Sequence, residues 1–386
     1  MGATVTAGWP ASDRGLFDIP DGVVYLNTAS IGPRLHTVTR AGEAALERFA
    51  TPWEIRPADW FEGAEAVRGL FADLVGGRPD CVALVPAVSY GIALAARNVP
   101  VRAGSTVVIL EDQYPANVYA WRRVCAERGA TVRYAGRSPS RSLTDAVLRL
   151  VDERTAVVAV PNCHWTDGAW VDLERIGAAA REAGAALVVD ASQSLGALPL
   201  DVGRVRPDFL VSVGYKWQLG PYGLAYAYVD ERWHEDGAPL EESWLTREGS
   251  EDFSGLVDYV DRYRSGARRF DGGEFPQFIS MPMARAALSQ LLAWGVDEIQ
   301  AALSGITLRI ERRASDLGLD VEETQGRVGH MLGLGLPRGV PERLGDELRR
   351  RGIHLAIRGD KLRVAPHLHT TERDVELLVE ALTACL

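Results

Sequence analysis

Two charged residues stand where charge is costly. Asp190 closes an apolar run, Leu187-Val-Val-Asp190, and Lys216 follows another, Phe209-Leu-Val-Ser-Val213, 26 residues after Asp190. Both runs have the length and composition of buried strands. Burying an unpaired charge is expensive, so a charge kept at such a place has a chemical reason or an escape to solvent. A lysine after a strand commonly takes the escape and snorkels. The acid at the edge of the preceding strand favours chemistry instead. A lysine amine can hold an aldehyde cofactor as a Schiff base, and a carboxylate can keep a pyridine nitrogen protonated. Together they suit pyridoxal 5′-phosphate, and their separation leaves room for one crossover and a return strand in a parallel sheet.

Three further positions fall at strand ends. Val85-Pro-Ala-Val88-Ser89-Tyr-Gly91 joins a strand to a helix. Free backbone N–H groups at that helix start, with the Ser89 hydroxyl, can hold a phosphate, and the same serine can be a simple N-cap. Tyr114, just past the next strand, offers a flat ring for stacking or is a surface aromatic. Asn162-Cys163-His164-Trp165 follows the run at 156–160. His164 and Trp165 are candidates to face a substrate, and Cys163 reads as a partly buried spectator thiol.

These positions need elements to hold them. Apolar runs of strand length occur at 82–85, 106–110, 131–134, 156–160, 186–189, 209–213 and 224–228. Helical patterns, such as 119–128 and 173–183, separate the first six. The alternation predicts a seven-stranded, mostly parallel α/β sheet, whose ligands sit beyond the carboxyl ends of the strands. A dinucleotide-binding turn of the Gly-x-Gly-x-x-Gly type is missing after the early strands, which disfavours a nicotinamide fold. Residues 1–20 read as a mobile arm and 21–270 as the large domain, with an irregular insertion at 231–270. Residues 271–386 read as a small α+β domain, with helices at 281–294, 296–317 and 371–385 and strands at 330–336, 353–357 and 361–364.

The 386-residue chain is 47% hydrophobic, enough for a full core. Its 52 acidic against 42 basic residues give a net charge of −10 and no basic footprint for nucleic acid. No apolar run is long enough to span a membrane, and the N-terminus shows no basic-then-apolar leader pattern. Met1-Gly2 opens a loose myristoylation pattern of little weight. Cys81, Cys125, Cys163 and Cys385 have no paired or metal-type spacing, so reduced thiols in the cytoplasm are expected. His367-Leu-His369 lacks partners nearby in sequence, and no metal site is expected.

Val189-Asp190-Ala-Ser-Gln193 and Ser212-Val-Gly-Tyr215-Lys216, with Gly220-Pro221-Tyr-Gly223, resemble the class V aminotransferase group of fold-type I pyridoxal phosphate enzymes. That group includes cysteine desulfurases, kynureninase and isopenicillin N epimerase, and the resemblance runs from Tyr25 to Arg363. It implies that Lys216 carries the cofactor and then acts as base, and that Asp190 pairs with the pyridine nitrogen. It further implies that Val88 and Ser89 hold the phosphate, with Ser212 and Tyr215 reaching it, and that Tyr114 stacks on the ring. Asn162 and Gln193 are expected near the cofactor's 3′-oxygen. The loop carrying Asn27 is expected to line the site, and Arg363, in Arg363-Val-Ala-Pro, to clamp the substrate carboxylate. The segment Arg268–Glu274 resembles one that reaches a neighbouring subunit, which implies a homodimer. Many members have Thr where Glu274 stands, and a carboxylate would repel a phosphate, so the role of Glu274 is open.

The resemblance fixes the cofactor better than the reaction. Desulfurases carry a nucleophilic cysteine before the arginine strand, and His354–Arg363 has none. The expectation is a β-eliminating C–S lyase acting on an amino acid or S-cysteinyl conjugate in bacterial specialised metabolism, a setting suggested by similarity to enzymes of lincosamide antibiotic assembly. Decarboxylation-coupled oxidative deamination, epimerization and transamination are the alternatives, and binding without turnover is a more distant one.

Overall fold

The computed structural model describes residues 13–138, 140–321, 326–336 and 339–385. In chain order, β1 (Val24–Tyr25) precedes two helices, α1 (His36–Phe49) and α2 (Asp59–Val75). The α/β layer then runs through β2 (Val82–Val85), α3 (Val88–Asn98), β3 (Thr106–Leu110), α4 (Tyr119–Arg128), β4 (Thr131–Ala135), α5 (Leu143–Leu148) and β5 (Thr155–Pro161). It continues through α6 (Leu173–Glu182), β6 (Ala186–Asp190), α7 (Val202–Val205), β7 (Phe209–Val213) and β8 (Ala225–Val229). After an irregular stretch come α8 (Ser280–Trp294), α9 (Val296–Asp316), β9 (Asp320–Val321), β10 (Leu332–Gly335), α10 (Leu344–Arg350), β11 (Ile353–His354), β12 (Ala356–Arg358), β13 (Lys361–Val364) and α11 (Glu372–Cys385).

The large sheet has seven strands in the order β2-β8-β7-β6-β5-β3-β4, and only β8 runs antiparallel to its neighbours. Nearly every residue of β2, β3, β5, β6, β7 and β8 is buried. This is what near-continuous Val/Ile/Leu/Ala runs require when helices cover both faces. The parallel strands point their carboxyl ends the same way. The segments after β2, β3, β5, β6 and β7 therefore gather at one edge.

Two glycines permit close approaches that fix this edge. Gly91 of α3 lies against β7, where a Cβ would stand 2.6 Å from Val211 Cγ1. At Gly32 a Cβ would stand 2.1 Å from the Lys216 carbonyl oxygen, and the Gly32 N–H donates to Tyr215 O at 2.7 Å. The loop after β1 is thus seated directly on the lysine turn.

The C-terminal part forms a four-stranded sheet, β12-β13-β10-β9, and β1 pairs in parallel with β11 beside it. The expected strand 353–357 is split in two, with Leu355 between β11 and β12. The expected strand 330–336 shortens to β10. The insertion at 231–270 holds only short 3-10 turns. Most of the expected arm lies outside the described residues. From Asp13 onward the chain is docked: Asp13 N–H donates to Leu368 O, and Arg14 pairs with Asp374 at 3.2 Å.

Candidate active site

A cavity of about 190 Å³ opens at the carboxyl edge of the large sheet. Most of the wall comes from strand ends and the residues just past them: Pro86–Ser89 after β2, Gln113 and Tyr114 after β3, Cys163 and Trp165 after β5, Asp190, Ser192 and Gln193 at the end of β6, and Val213, Tyr215 and Lys216 at the end of β7, with Tyr222 and Gly223 ahead of β8. Separate strands deliver these residues, so their relative positions are held by the sheet ladder.

Lys216 and Asp190 are both buried and both face this cavity. The Lys216 ammonium makes no ion pair or hydrogen bond among the described residues, and Nζ lies 5.2 Å from the Tyr114 ring centroid. Burial pulls its ammonium down to about 8, Asp190 opposes that shift, and the Arg363 charge reinforces it. Burial raises the Asp190 carboxyl, while the Ser192 backbone N–H, which donates at 3.1 Å, and the Lys216 charge hold it down.

The first turn of α3 opens on the cavity. Its N-cap, Ala87, has no side chain to bond the helix start, and Ser89 is exposed to the cavity. The opening N–H groups are therefore left for a ligand. Tyr114 closes one side, edge-on to Trp165 at 5.5 Å between centroids. Tyr215 closes another beside Tyr222, and burial pushes its phenol up to about 12. Gln193 lines the floor with its amide engaged: Nε2 donates to Ala29 O at 3.0 Å and Oε1 accepts from Trp217 Nε1 at 3.1 Å.

Arg363 comes from the small sheet; it is fully buried and does not line the cavity itself, but bonds the backbone of Trp165, which does. Its guanidinium donates to Trp165 O at 2.9 Å, Ser30 Oγ at 2.7 Å and Asn27 Oδ1 at 3.3 Å. No carboxylate pairs with it among the described residues, and Nε is buried without a partner. Burial, then the neighbouring Arg358, draw its guanidinium down to about 10. Asn27 thus positions the arginine.

Three expected positions lie elsewhere. Asn162 follows the strand alternation away from the cavity, and its amide donates to Val171 O at 3.3 Å. Its neighbours Pro161 and Cys163 take the cavity side. Ser212 also alternates away and accepts from Gln218 Nε2 at 2.7 Å, so Val213 lines the wall in its stead. His164 turns toward Thr166, 2.8 Å from Nδ1, and Asp167; burial drives it down to about 4, leaving a neutral ring. Cys163 donates to Gln193 O at 3.4 Å, and burial raises its thiol far above the ordinary range. Arg268 pairs with Glu65 and Arg269 reaches backbone carbonyls of 234 and 235, so neither faces the cavity; Glu274 is exposed. Ser192, Tyr222, Ser30 and Arg358 escaped the sequence reading. Ser192 and Tyr222 sit inside the motifs already quoted and Ser30 in the loop carrying Asn27, whereas Arg358 gave no signal.

The donor set fits pyridoxal phosphate: an acceptor for a pyridinium, an amine for an aldehyde, and an uncapped helix start for a phosphate. Residues 56–364 match the family described as aminotransferase class-V. The chain belongs to the class-V aminotransferase family. This class-V protein is 30% identical over 332 residues to the uncharacterized aminotransferase YcbU of Bacillus subtilis (strain 168), covering 84% of each chain. It is 26% identical over 408 residues to isopenicillin N epimerase of Streptomyces clavuligerus, covering 98% of each. Its fold is that of the Thermococcus onnurineus NA1 cysteine desulfurase, with a TM-score of 0.85 at 18% identity over 98% of both chains. It is equally that of the cystine C–S lyase C-DES, solved with cysteine persulfide, with a TM-score of 0.84 at 19% identity over 94% of this chain and 97% of that one. The protein is a pyridoxal phosphate-dependent enzyme. No helix among its described residues is long and apolar enough to cross a membrane.

Proposed function

We propose that this class-V enzyme is a C–S lyase that eliminates the thiol from an S-cysteinyl conjugate. The observation carrying this reading is the chain just before Arg363. Where a desulfurase needs a mobile thiol, residues 356–364 form a tight β12–β13 hairpin without cysteine. The cavity's thiol, Cys163, is buried, protonated and bonded to a carbonyl, so it is a poor sulfur acceptor. A sulfur leaving Cβ would go to solvent as free thiol.

Bound pyridoxal phosphate supplies an electron sink at Cα. Asp190 would hold its pyridine nitrogen protonated, and the α3 start with Ser89 its phosphate. Arg363 would clamp the substrate carboxylate and fix which Cα bond faces Lys216. Lys216, neutral above about 8, would take the Cα proton. The Cβ–S bond then breaks, its electron pair leaves on sulfur, and water converts the remainder to pyruvate and ammonia. Tyr114 and Trp165 cover the site and limit water during proton transfer.

Near-complete coverage of isopenicillin N epimerase supports a second reading, epimerization or transamination at the same Cα, and supports the setting in bacterial specialised metabolism. A homodimer is supported by an exposed apolar groove along α1, α2 and α8, lined by Phe49, Trp60, Phe278 and Met281. Four free cysteines support a reducing, cytoplasmic location. The deciding experiment incubates the holoenzyme with S-methyl-L-cysteine and measures thiol, pyruvate and Cα configuration. Equimolar thiol and pyruvate are expected. Racemised substrate with intact C–S bond would replace the lyase reading by the epimerase one.

A further inference from the structure

The small sheet is two-faced. Ile357, Leu362 and Leu334 alternate onto one side, and Leu362 and Leu334 are fully buried there. Arg358, Lys361 and Arg363 alternate onto the other, with Arg358 directly opposite Lys361 across the hairpin. Like charges facing each other across a strand pair are destabilising, so such an arrangement calls for a counter-anion. The glycines of β10 open room for one: a Cβ on Gly333 would stand 2.6 Å from Asp167 Cβ. Asp167 fills that room but serves other cations, Lys361 at 2.9 Å and Arg137 at 3.0 Å.

Arg358 is left over. It is half-buried, donates only to the carbonyl of Ile357 at 2.8 Å, and has no carboxylate partner among the described residues. Its guanidinium lies 5.8 Å from the ring centroid of Trp165, the residue that lines the cavity and whose carbonyl also holds Arg363. Two arginines without acids therefore converge on one cavity-wall residue. A single α-carboxylate accounts for Arg363 alone. We propose that Arg358 is a specificity residue that binds a second anionic group at the far end of the substrate side chain, so that the preferred substrates are amino acids with an acidic side chain. This rests on the C–S lyase reading only for the atom that links the acidic group. In those terms the substrate is a cysteine conjugate whose sulfur substituent carries a carboxylate or a comparable anion. Arg358 does not line the cavity in this conformation, but its charge is felt at Arg363 and Lys216, which puts it within electrostatic range of the site.

The test uses two isosteric pairs that differ in one charge: S-carboxymethyl-L-cysteine against S-carbamoylmethyl-L-cysteine, and L-glutamate against L-glutamine. Affinities are read from the change in visible absorption of the bound cofactor in the holoenzyme and in Arg358→Gln and Arg358→Lys. A hydrogen-bonded charge pair predicts roughly tenfold tighter binding of the acidic member of each pair. The ratio should fall to near one in Arg358→Gln and be partly kept in Arg358→Lys. Equal affinities within each pair in the wild type, no binding of either acidic ligand, or an undiminished ratio in Arg358→Gln would overturn the proposal. Thiol release separates it from the lyase reading: charge preference without released thiol keeps the acidic subsite and removes the lyase.

Discussion

Lys216 is a buried amine with an acid across the cavity and no direct partner for its ammonium among the described residues, and that combination sets its chemistry. Its conjugate acid lies near 8, well below the ordinary 10.5, because burial disfavours the ammonium more than Asp190 favours it. Only the neutral amine attacks an aldehyde. Loading of the apo-protein with pyridoxal phosphate should therefore accelerate with pH through a midpoint near 8 and level off above it, which stopped-flow absorbance will show. A midpoint near 10.5 would mean that the lysine is solvated. Lys216→Ala should remove the visible band of the lysine-bound cofactor and abolish turnover. At Asp190, Asn keeps the shape but cannot stabilise a pyridinium. Asp190→Asn should retain bound cofactor and lose on the order of 10²- to 10³-fold in kcat, the size expected for removing one preorganised electrostatic contact. An unchanged kcat would deny the carboxylate that part.

Elements act here through close contact. Helix α3 meets β7 at Gly91, and its first turn faces the cavity because of that contact. Gly91→Ala places a methyl against the branched Val211, which cannot swing aside as a long side chain would. About 1–3 kcal/mol of destabilisation is expected, measurable by denaturant unfolding, together with weaker cofactor retention. A variant that unfolds like wild type and still loses the cofactor would show that the helix start shifts before the core does. Gly32 makes the same kind of contact through the lysine turn's backbone, which cannot rotate away. Gly32→Ala should displace the loop carrying Asn27 and Ser30. The signature is a raised KM, because those residues position Arg363.

At the scale of the whole molecule, residues far apart in sequence close the structure over the site. Arg68 of α2 and Asp271, each with a fully buried side chain, pair at 2.8 Å, and Asp271 also accepts the Leu84 N–H of β2 at 2.7 Å. This anchor ties the segment after the insertion to the edge strand that leads into the first turn of α3. Removing one partner strands a buried charge. Asp271→Ala should cost about 3–5 kcal/mol, and replacing both residues by apolar ones should recover most of it. Equal losses in the single and double variants would show that the backbone hydrogen bond to Leu84, rather than the ion pair, carries the anchor.

The sequence by itself determined the large sheet and its chemical pair. Apolar runs of fixed length, broken by helical patterns, admit few arrangements other than a parallel sheet, and charges at the ends of such runs must gather at its carboxyl edge. That pair already pointed to pyridoxal phosphate, the family resemblance agreed, and the family match bears the cofactor out. Tertiary structure decided what each remaining side chain faces. In a strand, one step in register reverses the side, so Asn162 and Ser212 lie in the expected segments yet turn away, while Cys163 and Val213 face the cavity. It also decided which charges are left without partners. Local sequence shows Arg358 beside Asp360 and Lys361, an ordinary surface cluster. Only the folding of the hairpin over Trp165, with Asp167 taken by Lys361 and Arg137, leaves Arg358 and Arg363 together without an acid among the described residues, because ion pairs form by distance in space and not by distance along the chain.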